Sequence, residues 1–204
     1  MGILVLAAPF SAPAPYLIQR MITAAQASRD DEDETLALAR AGDSAAFAAL
    51  VRRYQSMVFS LALHLLRSRA TAEDLAQEVF LGLYRNLRNI ESTAHAISWL
   101  RRVTSHRCID ELRRLRHRME LPMDDVPDRG APFQPRELFL EGRLQRLVDG
   151  LPPNARAVMV LRYQEELEPS EIADTLQMPL NTVKSHLRRS IALLRAGLLK
   201  QGQP

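Results

Sequence analysis

The sequence predicts an all-α fold: two small helical domains joined by a flexible linker, the second containing a helix-turn-helix. Alanine, leucine and arginine dominate the 204 residues and aromatic residues make up only 5%, a composition that favours helices over sheets. Apolar residues recur every three or four positions through residues 34–118 and again through residues 137–204, which is typical of amphipathic helices. Residues 119–136 between them carry four prolines and one glycine among acidic residues, which indicates a linker.

An apolar stretch precedes the first predicted domain. Residues 2–18 carry no charge, but they lack a cationic start and are interrupted by Pro9, Pro13 and Pro15. Such a segment is a poor signal peptide and is too broken to span a membrane. We therefore expect residues 1–33 to form a disordered leader and the chain to have no membrane partner. A targeting segment is the alternative, and whether residues 1–20 belong to the native protein stays open.

Cysteine and histidine are too sparse for a metal site. Cys108 is the single cysteine in the sequence, which excludes an internal disulfide and a cysteine-based zinc site. His106 and His117 lie near it without a second thiol, so we expect no metal and no other cofactor. A single thiol fits a reducing cytoplasm. The sequence also shows no nucleophile–base pair or phosphate-binding loop, so we do not expect an enzyme.

Apolar periodicity divides the first domain into four helices. They are expected at residues 34–51, 54–67, from residue 71 onward, and 96–118. A break at Gly42–Asp43 interrupts the first, and Thr71 is expected to cap the third with Asp74 as its capping-box partner. A polar loop at residues 89–95 separates the third helix from the long fourth one.

The second domain ends in a turn-and-helix pattern. Pro169–Leu176 reads as a short helix, because proline suits a first turn. Residues 177–180 break it, and Asn181 is expected to cap a second helix that runs to about Leu199. In that second helix an apolar stripe recurs at helical spacing. Its members are Val183, Leu187, Ile191 and Leu194.

Charge is segregated along the chain. The sequence from residue 181 to residue 200 holds five cations and no carboxylate, and residues 101–118 hold seven arginines against Asp110 and Glu111. A packed stripe behind a row of cations is what a helix in the DNA major groove requires. A surface helix with a solvated basic face is the alternative, because helix-turn-helix patterns are common. Clustered cations also suit a polyanionic partner.

Several runs of sequence together resemble one family. The run Ala72–Leu81 closely resembles the second-region helix of bacterial RNA polymerase sigma factors, with the extracytoplasmic function (ECF) group as the nearest match. Ser98–Val103, continuing to Asp110–Arg114, is similar to the promoter-melting and −10-reading segment of that group. Leu151–Val158 and Thr182–Leu187 are similar to its fourth region. The resemblance covers residues 34–199 with all elements in order.

The resemblance implies a sigma factor that joins core RNA polymerase and reads promoter DNA. Its expected partners are the clamp helices of the largest polymerase subunit, the flap of the second-largest subunit, promoter DNA and an anti-sigma factor. The residues that match core-polymerase-binding positions are Asp74, Gln77, Glu78 and Phe80. The residues implied at the −10 element are Asn89, Ser92, Thr93, His95, Arg102, His106, Arg107, Arg113, Arg114 and Arg116. Those implied at the −35 element are Thr182, Lys184, Ser185, His186, Arg188, Arg189 and Arg195.

Some features of this chain depart from the family. His106 stands where the family usually has asparagine, and Gln177 stands where a helix-turn-helix commonly has glycine, so a left-handed residue there would cost roughly 1 kcal/mol. The loop at residues 89–95 has no aromatic side chain to stack on a flipped base. Trp99 is more simply a core residue than a stacking platform, and Asp74 alone could be a helix-start acid.

Two other functions fit parts of the pattern. One is a stand-alone helix-turn-helix regulator that binds duplex DNA without polymerase, against which the Ala72–Leu81 helix and the linker argue. The other is an anti-sigma or adaptor protein that binds only proteins, against which the basic final helix argues. Adding the chain to core polymerase and measuring promoter-specific transcription distinguishes all three.

Overall fold

The computed structural model describes residues 31–120 and 136–200. Within those two ranges every regular element is helical, which confirms the predicted fold class. The first block contains α1 (residues 31–40), α2 (Ser44–Leu66), α3 (Arg69–Asn86), a 3₁₀ turn (Leu87–Asn89) and α4 (Thr93–Glu120). The second block contains α5 (Arg136–Asp149), α6 (Pro153–Tyr163), α7 (Pro169–Leu176) and α8 (Leu180–Lys200).

The first block contains four helices, as predicted, but one boundary between them is not where it was predicted and the first helix starts earlier. Residues 44–66 form one helix, so the predicted boundary between residues 51 and 54 is wrong. No glycine or proline lies there, and the buried residues continue across it at helical spacing: Leu50, Tyr54, Val58, Leu61 and Leu65. Residues 31–33, expected in the disordered leader, belong to α1. Most of the predicted leader and linker lies outside the described residues.

The predicted break at Gly42–Asp43 is confirmed. Gly42 has a positive φ of 100°, a conformation that glycine adopts without strain. Asp43 then caps α2, because its carboxylate accepts hydrogen bonds from the backbone N–H groups of Ala45 and Ala46 at 2.7 and 3.0 Å. These two N–H groups of the first turn have no acceptor within the helix, and the cap supplies one.

Three helix starts lie earlier in the chain than predicted. Ser68, and not Thr71, caps α3 by accepting from the Thr71 backbone N–H at 3.3 Å, so Asp74 lies too far along the helix to be a capping-box partner. The fourth helix begins at Thr93, which shortens the predicted loop. The final helix begins at Leu180, because the Pro179 carbonyl already accepts hydrogen bonds from the backbone N–H groups of residues 182 and 183. Asn181 therefore lies inside the first turn of the helix. It is not the N-cap that the sequence predicted.

The two blocks lie against each other and share one hydrophobic cluster. On the first-block side the cluster includes the fully buried Leu61, Leu65 and Leu100. On the second-block side it continues into Leu161 and Ile172. The helices that meet are α2 and α4 from the first block with α6 and α7 from the second. The two predicted domains are thus arranged as one body in this structure.

Candidate nucleic-acid interface

The turn of the second block is built from local hydrogen bonds and one strained residue. Pro169 occupies the first position of α7 as predicted, and the backbone N–H of Glu168 donates to the Glu171 carboxylate at 2.7 Å. Gln177 follows α7 with φ 50° and ψ 47°, which confirms the expected left-handed residue in place of glycine. This geometry ends α7 and redirects the chain into α8.

Helix α8 separates an apolar side from a cationic side, as the sequence predicted. Val183 is fully buried and Leu194 nearly so. On the other side Thr182, Lys184, Arg188 and Arg189 are exposed, while Ser185 and His186 are half-buried beside them. Among the described residues Lys184, Arg188 and Arg189 form no ion pair, so these cations remain available for an anionic partner.

Arg195 lies apart from the other predicted −35 residues. It lines a groove of about 550 Å³ between α5, α6 and α8, together with Leu144, Val148 and Ile191. Leu144 and the nearby Tyr163 are exposed in this part of the surface. A phosphate contact from Arg195 would therefore lie at the edge of an apolar groove, two turns from the cations of the N-terminal half of α8.

The long helix α4 presents a second cationic surface. Arg102 and His106 are half-buried, and the Arg102 Nε and His106 Nε2 atoms are buried without a hydrogen-bond partner among the described residues. Arg107, Arg113 and Arg114 are exposed, and each pairs with a carboxylate of the first block. The partners are Glu78 for Arg107, Asp110 for Arg113 at 3.0 Å, and Glu111 for Arg114 at 3.5 Å.

The segment before α4 holds its polar groups in local contacts. The side-chain nitrogen of Asn89 donates to Asn86 at 2.6 Å, and the Ser92 hydroxyl accepts from the His95 backbone at 3.2 Å. Thr93 is buried, and its hydroxyl and backbone N–H both donate to one oxygen of Asp33, at 2.6 and 2.9 Å. These bonds hold the pKa of Asp33 below its usual range. Thr93, one of the residues implied at the −10 element, thus fastens α1 to α4.

The outer face of α3 carries the residues assigned to polymerase binding. Asp74, Gln77 and Glu78 are exposed, whereas Phe80 is 8% exposed and belongs to the hydrophobic cluster. Sequence reasoning missed the aromatic groove that Gln77 lines. This groove of about 680 Å³ runs between α2 and α3, and its apolar walls include Phe47, Phe59, Phe80, Leu81 and Tyr84.

The exposed side of that groove could have been recognised from apolar residues that fall outside the buried stripe of α3. Leu81 and Tyr84 are 58% and 57% exposed. They do not share the spacing of four residues by which the buried Leu75, Val79 and Leu83 form the inner face of α3. The ring of Tyr84 meets the edge of Phe47 with ring centres 5.1 Å apart. Exposed apolar side chains grouped on one surface are typical of protein-binding sites.

Trp99 lies where a core residue would, which is the simpler of the two roles considered for it. It is half-buried, packs against the hydrophobic cluster, and lies so close to Gly82 of α3 that a Cβ at Gly82 would be 3.3 Å from its ring. Trp99 therefore packs between α4 and α3, as a core residue would. Among the described residues, no helix is long and apolar enough to cross a membrane, and no group of three potential metal ligands comes together.

Two family models match this chain in the order of its two blocks. Residues 50–118 match sigma-70 region 2, and residues 141–194 match sigma-70 region 4. The ECF RNA polymerase sigma factor SigE of Mycolicibacterium smegmatis is 35% identical over 180 residues, which cover 84% of this chain and 70% of the relative. The ECF RNA polymerase sigma factor SigW of Bacillus subtilis is 29% identical over 170 residues, covering 77% and 91%.

Solved structures share the fold. CnrH, determined in complex with the cytosolic domain of CnrY, superposes with a TM-score of 0.59 at 19% identity and covers 84% of this chain and 99% of its own. The sigma factor RpoE of Bartonella quintana, determined with the anti-sigma factor NepR, gives a TM-score of 0.57 at 16% identity, with 77% and 98% covered. Region matches, relatives and fold agree: the chain belongs to the ECF group of bacterial RNA polymerase sigma factors.

Proposed function

We propose that this chain joins core RNA polymerase and directs it to promoters whose −35 element is read by the second block and whose −10 element is read by the first. The observation that carries the proposal is α8, whose exposed Lys184, Arg188 and Arg189 stand on a helix anchored by the buried Val183. Cations at the N-terminal half of such a helix are placed to reach base edges in the major groove. An arginine held by two hydrogen bonds on guanine discriminates by about 1–3 kcal/mol.

The −10 element is assigned to α4 and the segment before it. The ion pairs of Arg107, Arg113 and Arg114 are all with carboxylates of their own block, and the arginines themselves are exposed. Surface pairs of this kind contribute little to stability. DNA phosphates can therefore replace those carboxylates at low cost. A phosphate track of this kind fixes the position of the DNA without carrying sequence information. Sequence choice is left to Asn89, His95 and His106.

Core polymerase is assigned to the outer face of α3. Gln77 offers an exposed hydrogen-bonding group in the aromatic groove between α2 and α3, and Asp74 and Glu78 lie on the side of α3 that faces α4. Together with the groove they supply the apolar centre and polar rim of a protein interface. The flap of the second-largest subunit is assigned to the groove between α5, α6 and α8. An anti-sigma factor is a further partner in this proposal, supported by the complex of the relative RpoE with NepR.

In this role the chain positions core polymerase on promoter DNA and supports opening of the DNA strands, and it needs no catalytic residue of its own. Because its proposed partners are core RNA polymerase and promoter DNA, we expect the chain to act in the cytoplasm. No observation favours the stand-alone regulator, which would not need the polymerase-binding face proposed here on α3. The function therefore requires two simultaneous partners, DNA and polymerase.

The test is transcription in a purified system. Core polymerase, the full chain and a library of promoter fragments are combined, and transcripts are sequenced to find the elements used. Promoter-specific initiation that depends on the chain is expected, and Arg188→Ala should reduce it while Arg52→Ala, at an exposed arginine of α2, should not. Specific binding of duplex DNA by the chain alone, with no transcription on adding polymerase, would overturn the proposal.

A further inference from the structure

A cavity lined by three arginines lies where the two blocks meet. Its volume is about 530 Å³, which is within the range of cavities that hold small molecules. Helix α4 and the end of α2 form one side of the cavity, and the end of α5 with the start of α6 forms the other. We call this cavity the arginine pocket. The charged residues that line it are Arg67, Arg116, Asp149 and Arg156.

Two of these arginines share one carboxylate oxygen. The Arg67 Nε atom and the Arg156 Nη2 atom lie 3.5 Å and 2.7 Å from the same oxygen, Oδ1 of Asp149. The side-chain nitrogen of Gln145 also donates to that oxygen, at 3.1 Å. Two guanidinium groups therefore depend on a single, crowded oxygen atom for their counter-charge.

Arg116 adds a third cation, and its acceptors are neutral. It donates to the backbone carbonyls of Gly150 and Leu151, both at 3.2 Å. A carbonyl oxygen carries only a partial charge, so it does not neutralise a guanidinium. Three arginines and one carboxylate line the arginine pocket, which leaves a surplus of two positive charges. A concave surface with such a surplus attracts anions.

Arg156 is the most buried of the three arginines. Its side chain is only 6% exposed, and its Nε atom is buried without a hydrogen-bond partner among the described residues. Burial lowers the pKa of Arg156, Asp149 opposes that shift, and the nearby cation Arg67 adds to it. A guanidinium nevertheless stays charged at neutral pH. An anion in the pocket would offset the cost of burying a cation that is incompletely paired.

The uncharged walls of the arginine pocket are apolar. They are formed by Leu66, Leu112, Leu115, Leu151 and Pro153. Leu66 and Leu151 are buried, whereas Leu115 is 38% exposed. An apolar wall beside a group of cations suits a molecule that has an anionic group at one end and an aromatic or apolar group at the other.

We propose that the arginine pocket binds a small phosphate monoester with an aromatic or apolar part, such as a nucleoside monophosphate. A phosphate monoester carries about 1.5–2 negative charges at neutral pH, which matches the surplus charge of the pocket. Phosphate oxygens also accept the paired N–H groups that a guanidinium presents. The pocket includes no residue assigned to polymerase or to the −35 element, and it shares only Arg116 with the −10 set. The inference therefore does not depend on the proposed function.

The first test compares three probes on the full wild-type chain by isothermal titration calorimetry. The probes are adenosine monophosphate, adenosine and inorganic phosphate. We expect adenosine monophosphate to bind about tenfold more tightly than either of the others, because it alone offers both the charge and the apolar surface. Equal affinities for adenosine monophosphate and inorganic phosphate would overturn the assignment of the apolar walls.

The variant that tests the cations is Arg67→Gln, which removes one charge at an exposed position and keeps a side chain of similar length. Its matched control is Arg52→Gln, which makes the same charge change at an exposed residue of α2 outside the pocket. Arg67→Gln should weaken adenosine monophosphate binding by about tenfold or more, since hydrogen bonds between charged groups are strong. Arg52→Gln should leave that affinity unchanged.

A third variant has the opposite expected sign. Asp149→Asn removes the carboxylate that competes with a bound phosphate for Arg67 and Arg156. Its melting temperature without ligand should fall, and adenosine monophosphate should raise that temperature by more than it does for the wild-type chain. If Arg67→Gln itself lowers the melting temperature, Leu115→Glu gives the same test, because it places a carboxylate in the pocket wall at a partly exposed position.

Three further outcomes would overturn the inference. One is a wild-type chain that fails to bind adenosine monophosphate at millimolar concentration. Another is equal binding by Arg67→Gln and Arg52→Gln, which would place the ligand elsewhere on the chain. A single-stranded −10 oligonucleotide is titrated in parallel. If Arg67→Gln weakens binding of that oligonucleotide while adenosine monophosphate does not bind, the pocket belongs to DNA.

Discussion

Replacing Gln177 by glycine should stabilise the chain, although most substitutions by glycine destabilise. Gln177 has φ 50° and ψ 47°, a left-handed conformation that costs a residue with a side chain about 1–2 kcal/mol. Glycine avoids that cost but loses roughly 0.5–1 kcal/mol more backbone entropy on folding. The Gln177 side chain is exposed, so its removal sacrifices no buried contact. The net gain is therefore about 0–1.5 kcal/mol, centred near 0.75 kcal/mol.

The same substitution at Gln55 provides the control. Gln55 is exposed in the middle of α2, where glycine is less favourable than an ordinary helix residue by several tenths of a kcal/mol. Urea denaturation followed by circular dichroism measures both variants against the wild-type chain. Gln177→Gly should move the midpoint up and Gln55→Gly should move it down, with unchanged slopes. A lower midpoint for Gln177→Gly would refute the strain assigned to this turn.

Three predictions about function accompany the stability prediction for Gln177→Gly. Glu78→Lys should weaken core polymerase binding in a pull-down while leaving the melting temperature nearly unchanged, because Glu78 is exposed; a variant that unfolds or binds normally contradicts this. His106→Asn should alter which randomised −10 elements are transcribed more than it alters total transcription, since asparagine restores the usual family side chain; an unchanged preference would return −10 choice to the segment before α4. A chain that begins at Met21 should fold and transcribe like the full chain, and lost activity would show that the leader matters.

Sequence periodicity predicted the helical class and the helix-turn-helix because both depend on local information. The stripe of α8 and the proline at the start of α7 are read from neighbouring residues. Helix boundaries were less secure, since Ser68 and Thr71 are equally good caps in isolation. In the structure the left-handed Arg67, at φ 59°, ends α2, and the next residue, Ser68, caps α3.

Long-range contacts were not predictable from one sequence. Asp33 looked like part of an acidic leader, yet it accepts both hydrogen bonds from Thr93, sixty residues away. The contact between Arg116 and the carbonyls that follow α5 is equally invisible, because backbone acceptors leave no mark in the amino-acid pattern. Such features depend on how the helices are arranged, and periodicity specifies only which side of each helix is buried.

The ion pair between Glu78 and Arg107 links two binding faces of the first block. Glu78 belongs to the face assigned to polymerase and Arg107 to the face assigned to DNA. A protein ligand that takes Glu78 leaves Arg107 with one fewer internal competitor, and a phosphate that takes Arg107 does the same for Glu78. Thermodynamic reciprocity requires the two effects to be equal in size. Both side chains are largely exposed, so the coupling is limited to a few-fold. One pair of side chains thus makes polymerase binding and DNA binding weakly cooperative.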